Sequence, residues 1–516
     1  MKLKCVIAIV FLSFGFLFIY RSVANMRTFP LHDYDEANRS EGARNMLLHD
    51  SFLAPLTGSP YGRTAGYEVP YSPESIANIW PHYERPPLTF ILMAGSSAIL
   101  GDSELSYRLP SFVFGLATLV ILGLIFLKNG LIAGSVGLLI LMTSSDWWLS
   151  SQYAQLDIIF TFFLIGSITA IFLFVERGDK RWRLFSGIML GLAILARGQS
   201  AILIIFPLFS LLLTKKIKWL DVASILVVSA LVSSPWLLGI AWQFGVEESI
   251  RKILDLTTSR AILADPTQVA PVYWYARLWL DTLRPGFILL LSLSIVRVFA
   301  GKKLNWKQTA LAFYFVGGFV LFSLAKNSVW WYVLPLIPGV AWLTSELLHD
   351  YLIDNKNWLT VISIIVIIAS LPIMFQSTTT RVLIYGVMME ALAVMLLFWN
   401  ASIRKEKHGK VVFVLALIAS LGLFYIRFPA PQPTYPETKE VASAYQELPE
   451  PKCLMISEMP YEAALFYSRA GEITYLDPEL PLRTDCTNYL ITRSKLEYPI
   501  ISRQDPIILY RIPSDE

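Results

Sequence analysis

Two carboxylates, Asp35 and Glu36, open a polar stretch that interrupts a very apolar chain. The stretch closes on Tyr83, Glu84 and Arg85 within HYERPPL. Ionisable side chains beside a membrane core are costly unless they pair, bind or react. A correctly placed carboxylate can take a proton from an attacking group, and an arginine or lysine can hold an anion. Asp157, Arg197 and Lys326 are further ionisable residues that interrupt or flank apolar segments. The polar stretch is where function is expected, provided the fold brings these distant residues to one surface.

The elements that must position them are membrane helices. The chain has 516 residues, of which 55% are hydrophobic and 16% charged, with a mean hydropathy of +0.54. A soluble chain would carry about a quarter charged residues. The net charge of +4 is modest and its basic residues lie in short loops, so nucleic acid is excluded as a partner. Cys5, Cys453 and Cys486 have no metal-ligand spacing. The last two fit a disulfide or two free thiols equally well. The first apolar run follows Lys2 and Lys4 and lacks a clean cleavage site, so it reads as a retained signal anchor.

A crossing helix needs about 20 apolar residues. On that basis about thirteen crossings are expected: 5–23, 105–127, 131–149, 156–175, 184–196, 199–213, 219–242, 286–299, 308–324, 329–348, 357–375, 381–399 and 411–427. The run 88–100 is short, follows Pro86-Pro87 and ends at Gly101-Asp102, which suits a helix lying along the interface. Charge supports this reading. With the N-terminus inside, the inner loops collect Lys128, Arg177, Lys180, Arg183, Lys215, Lys218, Arg297, Lys303, Lys356 and Arg404, among others. The short outer loops hold only Arg197, Lys326 and Arg381. That is the positive-inside asymmetry, and a crossing at 88–100 would invert it. Asp35, Glu36, Glu84, Arg85, Asp157, Arg197 and Lys326 then share the outer face.

The expected organisation is a transmembrane domain over 1–428, with outer loops at 24–104 and 243–285. A Pro-rich linker over 429–436 and an extracytoplasmic α/β domain over 437–516 follow. The 243–285 loop has an amphipathic pattern and carries Gln268, Tyr273 and Tyr275. In the tail, short β-like runs such as KCLMISE and IILYRI flank the helical stretch YEAALFYSR. The fold class is therefore an all-α polytopic membrane protein with a small C-terminal α/β domain.

Five motifs in order carry a resemblance. They are DEANRSEGARNML from Asp35; YERPPL from Tyr83, with GDSELSYRLPS from Gly101; TSSDWWLSSQYAQLD ending at Asp157; GLAILARGQ over 191–199; and FSLAKNSVWWYVLPLIP over 322–338. Together they resemble the GT-C membrane glycosyltransferases, specifically the lipid A aminoarabinose transferases and protein O-mannosyltransferases. The resemblance is strongest over residues 30–330.

It implies transfer of a sugar from a polyprenyl-phosphate donor to an acceptor hydroxyl on a glycolipid, polysaccharide or protein outside the membrane, with inversion. It implies Asp35 as the base or the acid that orients the acceptor, Asp157 as a second carboxylate of the same cavity, and Glu36 beside them. Glu84, Arg85, Arg197 and Lys326 become donor-phosphate candidates. Tyr83, Gln268, Tyr273, Tyr275 and Tyr332 line the substrate. A divalent cation between Asp35 and Asp157 is conceivable with hard oxygen ligands.

Structural roles compete with these. Asp35, Glu36 and Asp157 could cap helices, Glu84 and Arg85 could pair with each other, and Arg197 and Lys326 could snorkel. The tyrosines could be belt aromatics. Arg85 and Arg197 stand where the family usually has lysines, and Gln268 where the aminoarabinose enzymes tend to have histidine. Two other classes remain as rivals: a flippase of lipid-linked sugars, and a non-catalytic subunit of an envelope assembly machine.

Overall fold

The long apolar runs fold as helices because a backbone in hydrocarbon must satisfy its hydrogen bonds internally. The computed structural model describes residues 3–32, 35–57, 80–81, 85–261, 284–299, 301–324, 330–354, 362, 406–426, 428–431, 436–456, 461–469, 473–475, 487–493, 495–496 and 498–512. The expected crossings 357–375 (apart from Ile362) and 381–399 lie outside these residues. Six described helices are long and apolar enough to cross a membrane. A seventh arises if α5 (Leu131–Met142) and α6 (Ser145–Ser151), bent by 57°, form one crossing.

Side-chain pairings fix the directions. α7 (Leu156–Arg177) and α8 (Lys180–Arg197) form an antiparallel hairpin, with Ser167 against the Ser186 carbonyl at 3.0 Å midway and Asp157 on Arg197 at the open end. α10 (Trp219–Phe244) runs parallel to α8. Arg183 pairs with Asp221 at 2.6 Å, and a Cβ added to Gly187 or Gly191 would strike Val228 or Val232. The glycines are what let these two helices approach so closely.

If α8 and α10 point the same way, the segment between them must return. Length and composition alone would merge Lys180–Leu213 into one crossing of 34 residues. The pairing instead splits it at Arg197-Gly198, as expected from the runs 184–196 and 199–213. The returning arm is a 3-10 segment (Gly198–Ile204) followed by α9 (Ile205–Leu213). A 3-10 turn rises further per residue than an α turn, so this short arm still reaches roughly 28 Å, close to the hydrocarbon thickness. Gly198, at φ +60°, makes the reversal.

α1 (Leu3–Thr28) and α15 (Glu406–Ile426) run parallel, with Phe18 against Phe424 at 5.5 Å and Arg21 donating to the Tyr425 carbonyl at 2.7 Å. The chain after α15 therefore lies at the end where α1 delivers α2 (Asp35–Leu48). α3 (Leu88–Leu100) has both termini there too. Thr89 donates to the Ala196 carbonyl at 3.4 Å, and Asp102, just past its C-terminus, pairs with Arg469 at 2.8 Å. A helix with both ends on one side does not cross, which agrees with the interfacial reading.

The other end is basic. There Arg297 of α12 (Arg284–Phe299) pairs with Asp350 of α14 (Leu336–Asp354) at 2.9 Å. Lys307 of α13 (Trp306–Leu324) pairs with Glu176 at 2.7 Å.

After α15 come α16 (Thr438–Gln446), β3 (Lys452–Ile456), α17 (Tyr461–Ser468), β4 (Ile473–Tyr475), β5 (Thr487–Thr492), β6 (Ile500–Gln504) and β7 (Ile507–Arg511). The sheet order is β4-β3-β5-β7-β6, with β3 parallel to β4 and β5, and β7 antiparallel to β5 and β6. Strand residues alternate between two faces. Leu454, Tyr489, Ile491 and Leu509 face α16 and α17, whereas Met455, Leu490, Ile508 and Tyr510 form a second small core. The first core continues into Ala37 and Ala43 of α2 and Met93 of α3, so domain and membrane bundle share packed surface. Cys453 is disulfide-bonded and Cys5 is free. A short antiparallel pair, β1 (Leu56–Thr57) and β2 (Trp80–Pro81), lies within the first polar loop.

Candidate active site

α2 places Asp35 and Glu36 in its first turn, where the helix dipole favours negative charge. Their fates then differ. Asp35 pairs with Arg39, one turn on, at 2.8 Å, and its side chain is 35% exposed, so a substrate can reach it. Glu36 is buried. Its two oxygens accept from Arg108 Nε at 2.7 Å and Nη2 at 2.8 Å, from His32 N at 2.6 Å and from Ala154 N at 2.9 Å. With its lone pairs committed in this way Glu36 is built as a strut. Among the catalytic candidates Glu36 is thus the buried one: it ties the N–H of His32, ahead of α2, and that of Ala154, ahead of α7, to Arg108.

Arg108, on α4 (Glu104–Phe126), completes that strut. Besides Glu36 it donates to the carbonyls of Met26 at 3.0 Å, Phe29 at 2.7 Å and Pro30 at 2.8 Å. One fully buried guanidinium thus ties α1, the α1–α2 connection and α2 to α4. Sequence reasoning passed over Arg108, although it stands in SYRLPS; an arginine beside a proline in an apolar helix is the signal that could have exposed it.

The same segment reaches α7. Arg39 donates to the Ala154 carbonyl at 3.5 Å, so Asp35, Arg39 and the N-terminus of α7 adjoin. Asp157, in the first turn of α7, is buried and ion-paired with Arg197 at the end of α8. Arg197 also stacks over Tyr332, 5.0 Å from its ring centre, and lies 6.0 Å from that of Phe160. Pro86 packs on Gly198, and Arg85 donates to Asn38 Oδ1 at 2.8 Å. Arg85 is thereby carried to the corner that holds Arg197.

Asp35, Arg85, Asp157, Arg197 and Tyr332 therefore converge at one end of the bundle, joined by Asn38, Arg39 and Ala154. Those three were not singled out from the sequence; Arg39 was legible only as the i+4 partner of Asp35. Tyr83, Glu84, Gln268, Tyr273, Tyr275 and Lys326 lie outside the described residues. Among the described residues no group of three or more His, Cys, Asp or Glu side chains could hold a metal ion. Asp35 and Asp157 each already bear an arginine, a poor set for a cation that takes six or more oxygens.

Beside the Arg197-Gly198 corner is an apolar cleft of about 330 Å³, a volume in the range of ligand pockets. It is lined by α8, the returning arm, α10 and α11 (Val246–Ala261), with Leu190, Ile194, Ala201, Ile205, Leu237 and Ile253 at its wall.

The fold matches the crystal structure of ArnT from Cupriavidus metallidurans bound to undecaprenyl phosphate. The match covers 97% of both chains at a TM-score of 0.68 and 14% identity. The apo state of the same protein matches at 0.66 over 98% of both chains, again at 14% identity. Residues 84–238 match the family described as dolichyl-phosphate-mannose-protein mannosyltransferase. The chain therefore has the GT-C polytopic fold of these structures. That stretch contains Arg85, Arg108, Asp157 and Arg197, so much of the convergent cluster lies within the matched segment.

Among curated relatives of this GT-C chain, an undecaprenyl phosphate-alpha-4-amino-4-deoxy-L-arabinose arabinosyl transferase from Pseudomonas fluorescens is 24% identical over 359 residues, 63% of this chain and 54% of the relative. An uncharacterized protein from Aquifex aeolicus is 24% identical over 341 residues, 64% of this chain and 62% of the relative. The chain thus spans about half the length of the first relative and under two thirds of the second.

Proposed function

We propose that the protein is a membrane glycosyltransferase that moves a sugar from a polyprenyl-phosphate donor to an acceptor hydroxyl. The observation that carries this reading is the convergence of a reachable carboxylate, Asp35, with two arginines, Arg85 and Arg197, at one end of a GT-C bundle. Asp35 takes the proton as the acceptor oxygen attacks the anomeric carbon. The bond from that carbon to the phosphate oxygen breaks, and the electron pair leaves with the lipid phosphate. Attack opposite the leaving group inverts the anomeric carbon. Arg85, Arg197 and Lys326 stabilise the charge that develops on the phosphate. Asp157 orients the Arg197 guanidinium, and Tyr332 supports its face. Glu84 is assigned with Arg85, Arg197 and Lys326 to the donor phosphate, and Tyr83, Gln268, Tyr273 and Tyr275 to the substrate.

The apolar cleft beside Gly198 suits the first isoprene units of the donor. Its wall is hydrocarbon and its neighbour is a phosphate-binding arginine. Ile194→Trp should raise the donor KM several-fold with little change in kcat. An unchanged KM would remove the cleft from the donor site.

The basic end of the bundle holds Lys128, Arg177, Lys180, Lys215 and Lys303, and by the positive-inside rule it faces the cytoplasm. The site and the C-terminal domain then face outward from the plasma (inner) membrane. The deciding experiment incubates purified protein with a lipid-linked sugar and scores release of polyprenyl phosphate. Transport of the lipid across proteoliposomes without turnover would favour a flippase instead. Within that assay, Arg197→Lys should raise the donor KM about tenfold, as for any loss of a bidentate, ring-stacked contact worth ~1.4 kcal/mol. A wild-type KM would mean that Arg197 serves Asp157 and not the donor.

A further inference from the structure

The short connection from α1 to α2 is held at nearly every described backbone group. Arg108 takes the carbonyls of Met26, Phe29 and Pro30, and Glu36 takes the N–H of His32. The N–H of Leu31 is held differently. It donates to the hydroxyl of Tyr467, on α17 of the C-terminal domain, at 2.7 Å. That hydroxyl in turn donates to Glu104 Oε1 at 3.1 Å, and Glu104 also receives Lys439 of α16. Tyr467 is thus the point where the C-terminal domain grips the segment that leads into Asp35.

The surroundings make the contact rigid. The Tyr467 ring stands edge-on to Phe466, with centroids 5.2 Å apart, and Lys439 lies 5.6 Å from its centre. Phe466 is held by Arg44 of α2, which stacks 4.6 Å above its ring and donates to its carbonyl at 2.8 Å. Arg469 and Asp102 close the same junction. Burial, followed by the adjacent Glu104 charge, raises the phenol well above its usual range, so it stays a hydroxyl and keeps its donor proton. The Glu104 carboxylate accepts from both Lys439 and the Tyr467 hydroxyl. Donor and acceptor are matched along the whole relay from Lys439 to Leu31.

We propose that Tyr467 is a positioning residue for transfer, through which the C-terminal domain sets the backbone at Leu31 and with it the orientation of Asp35. This rests on the function proposed above. It goes beyond that reading because it gives the C-terminal domain a part in the chemistry, through the hydrogen bond from the Leu31 N–H to the Tyr467 hydroxyl. Displacing a reacting group by about 1 Å can slow a reaction by up to about a hundredfold, and a single hydroxyl holding the approach to Asp35 can exert an effect of that kind.

The test is Tyr467→Phe in the full-length protein, which keeps the ring and removes the hydroxyl. The expected result is a fall in kcat of about tenfold with donor KM unchanged and a near wild-type unfolding midpoint. Hydrogen exchange at the Leu31 amide should accelerate. Lys439→Met, which leaves the hydroxyl on Leu31, should retain most of kcat. A wild-type kcat for Tyr467→Phe overturns the proposal, as does a loss of activity that only parallels a lowered midpoint. If wild-type protein releases no polyprenyl phosphate at all, it is the function that fails; the Leu31 exchange still reports whether the domain grips the segment.

Discussion

Asp35→Asn stops sugar transfer while the protein remains folded: that is the expected result, with a loss of roughly 10²–10⁴-fold if Asp35 is the general base. The substitution is nearly isosteric and the side chain is about a third exposed. The lost pairing with Arg39 should therefore matter little to stability, as for exposed ion pairs generally. Glu36 cannot take over, because Arg108 and two backbone N–H groups already occupy its oxygens. The measurement is release of polyprenyl phosphate by variant and wild type at matched protein levels, with size-exclusion profiles as the fold control. Full activity in the variant would take Asp35 out of the mechanism.

The largest structural effect is expected at Arg108. Arg108→Met fills a similar volume but strands the Glu36 charge and three carbonyl acceptors in the protein interior. Removing one partner of a buried ion pair typically costs about 3–5 kcal/mol, and the orphaned carbonyls add to it. A marked drop in the thermal unfolding midpoint in detergent should follow. Pairing it with Glu36→Gln should recover part of the loss, because the stranded charge is then gone. An unchanged midpoint for Arg108→Met would mean that water enters and solvates the site, and that the strut does not hold α2.

These two expectations separate residues that look alike in the sequence. Asp35 and Glu36 are adjacent acids at a helix start, and either could serve as base. One helical step, about 100° around the axis, turns Glu36 into the bundle and leaves Asp35 at the surface. No local pattern reveals which, because the deciding partner sits far away on α4. The same holds for Arg197. Read locally it snorkels as well as it binds phosphate, and only the hairpin of α7 and α8 shows it on Asp157 and over Tyr332.

The membrane architecture was far more legible. Apolar length and the sidedness of lysine and arginine point to a helical bundle, because in hydrocarbon the backbone leaves few alternatives, and six described helices are long and apolar enough to cross a membrane. Those signals also indicated that 88–100 lies along the interface, and the structure brings both of its ends to one side. They left 184–196 and 199–213 marginal in length. The 3-10 geometry of the returning arm explains how so short a run crosses, and no propensity scale anticipates it.

Read alone, the sequence specifies an apolar helical bundle, a polar first loop with ionisable residues at its two edges, and a small α/β tail. Those follow from composition and period, which act locally. Packing alone shows which acid is reachable, which arginine is a strut, and that the Tyr467 hydroxyl of the tail accepts from the Leu31 N–H. Each of those depends on a partner hundreds or tens of residues away, and burial and hydrogen-bond satisfaction are properties of the packed whole.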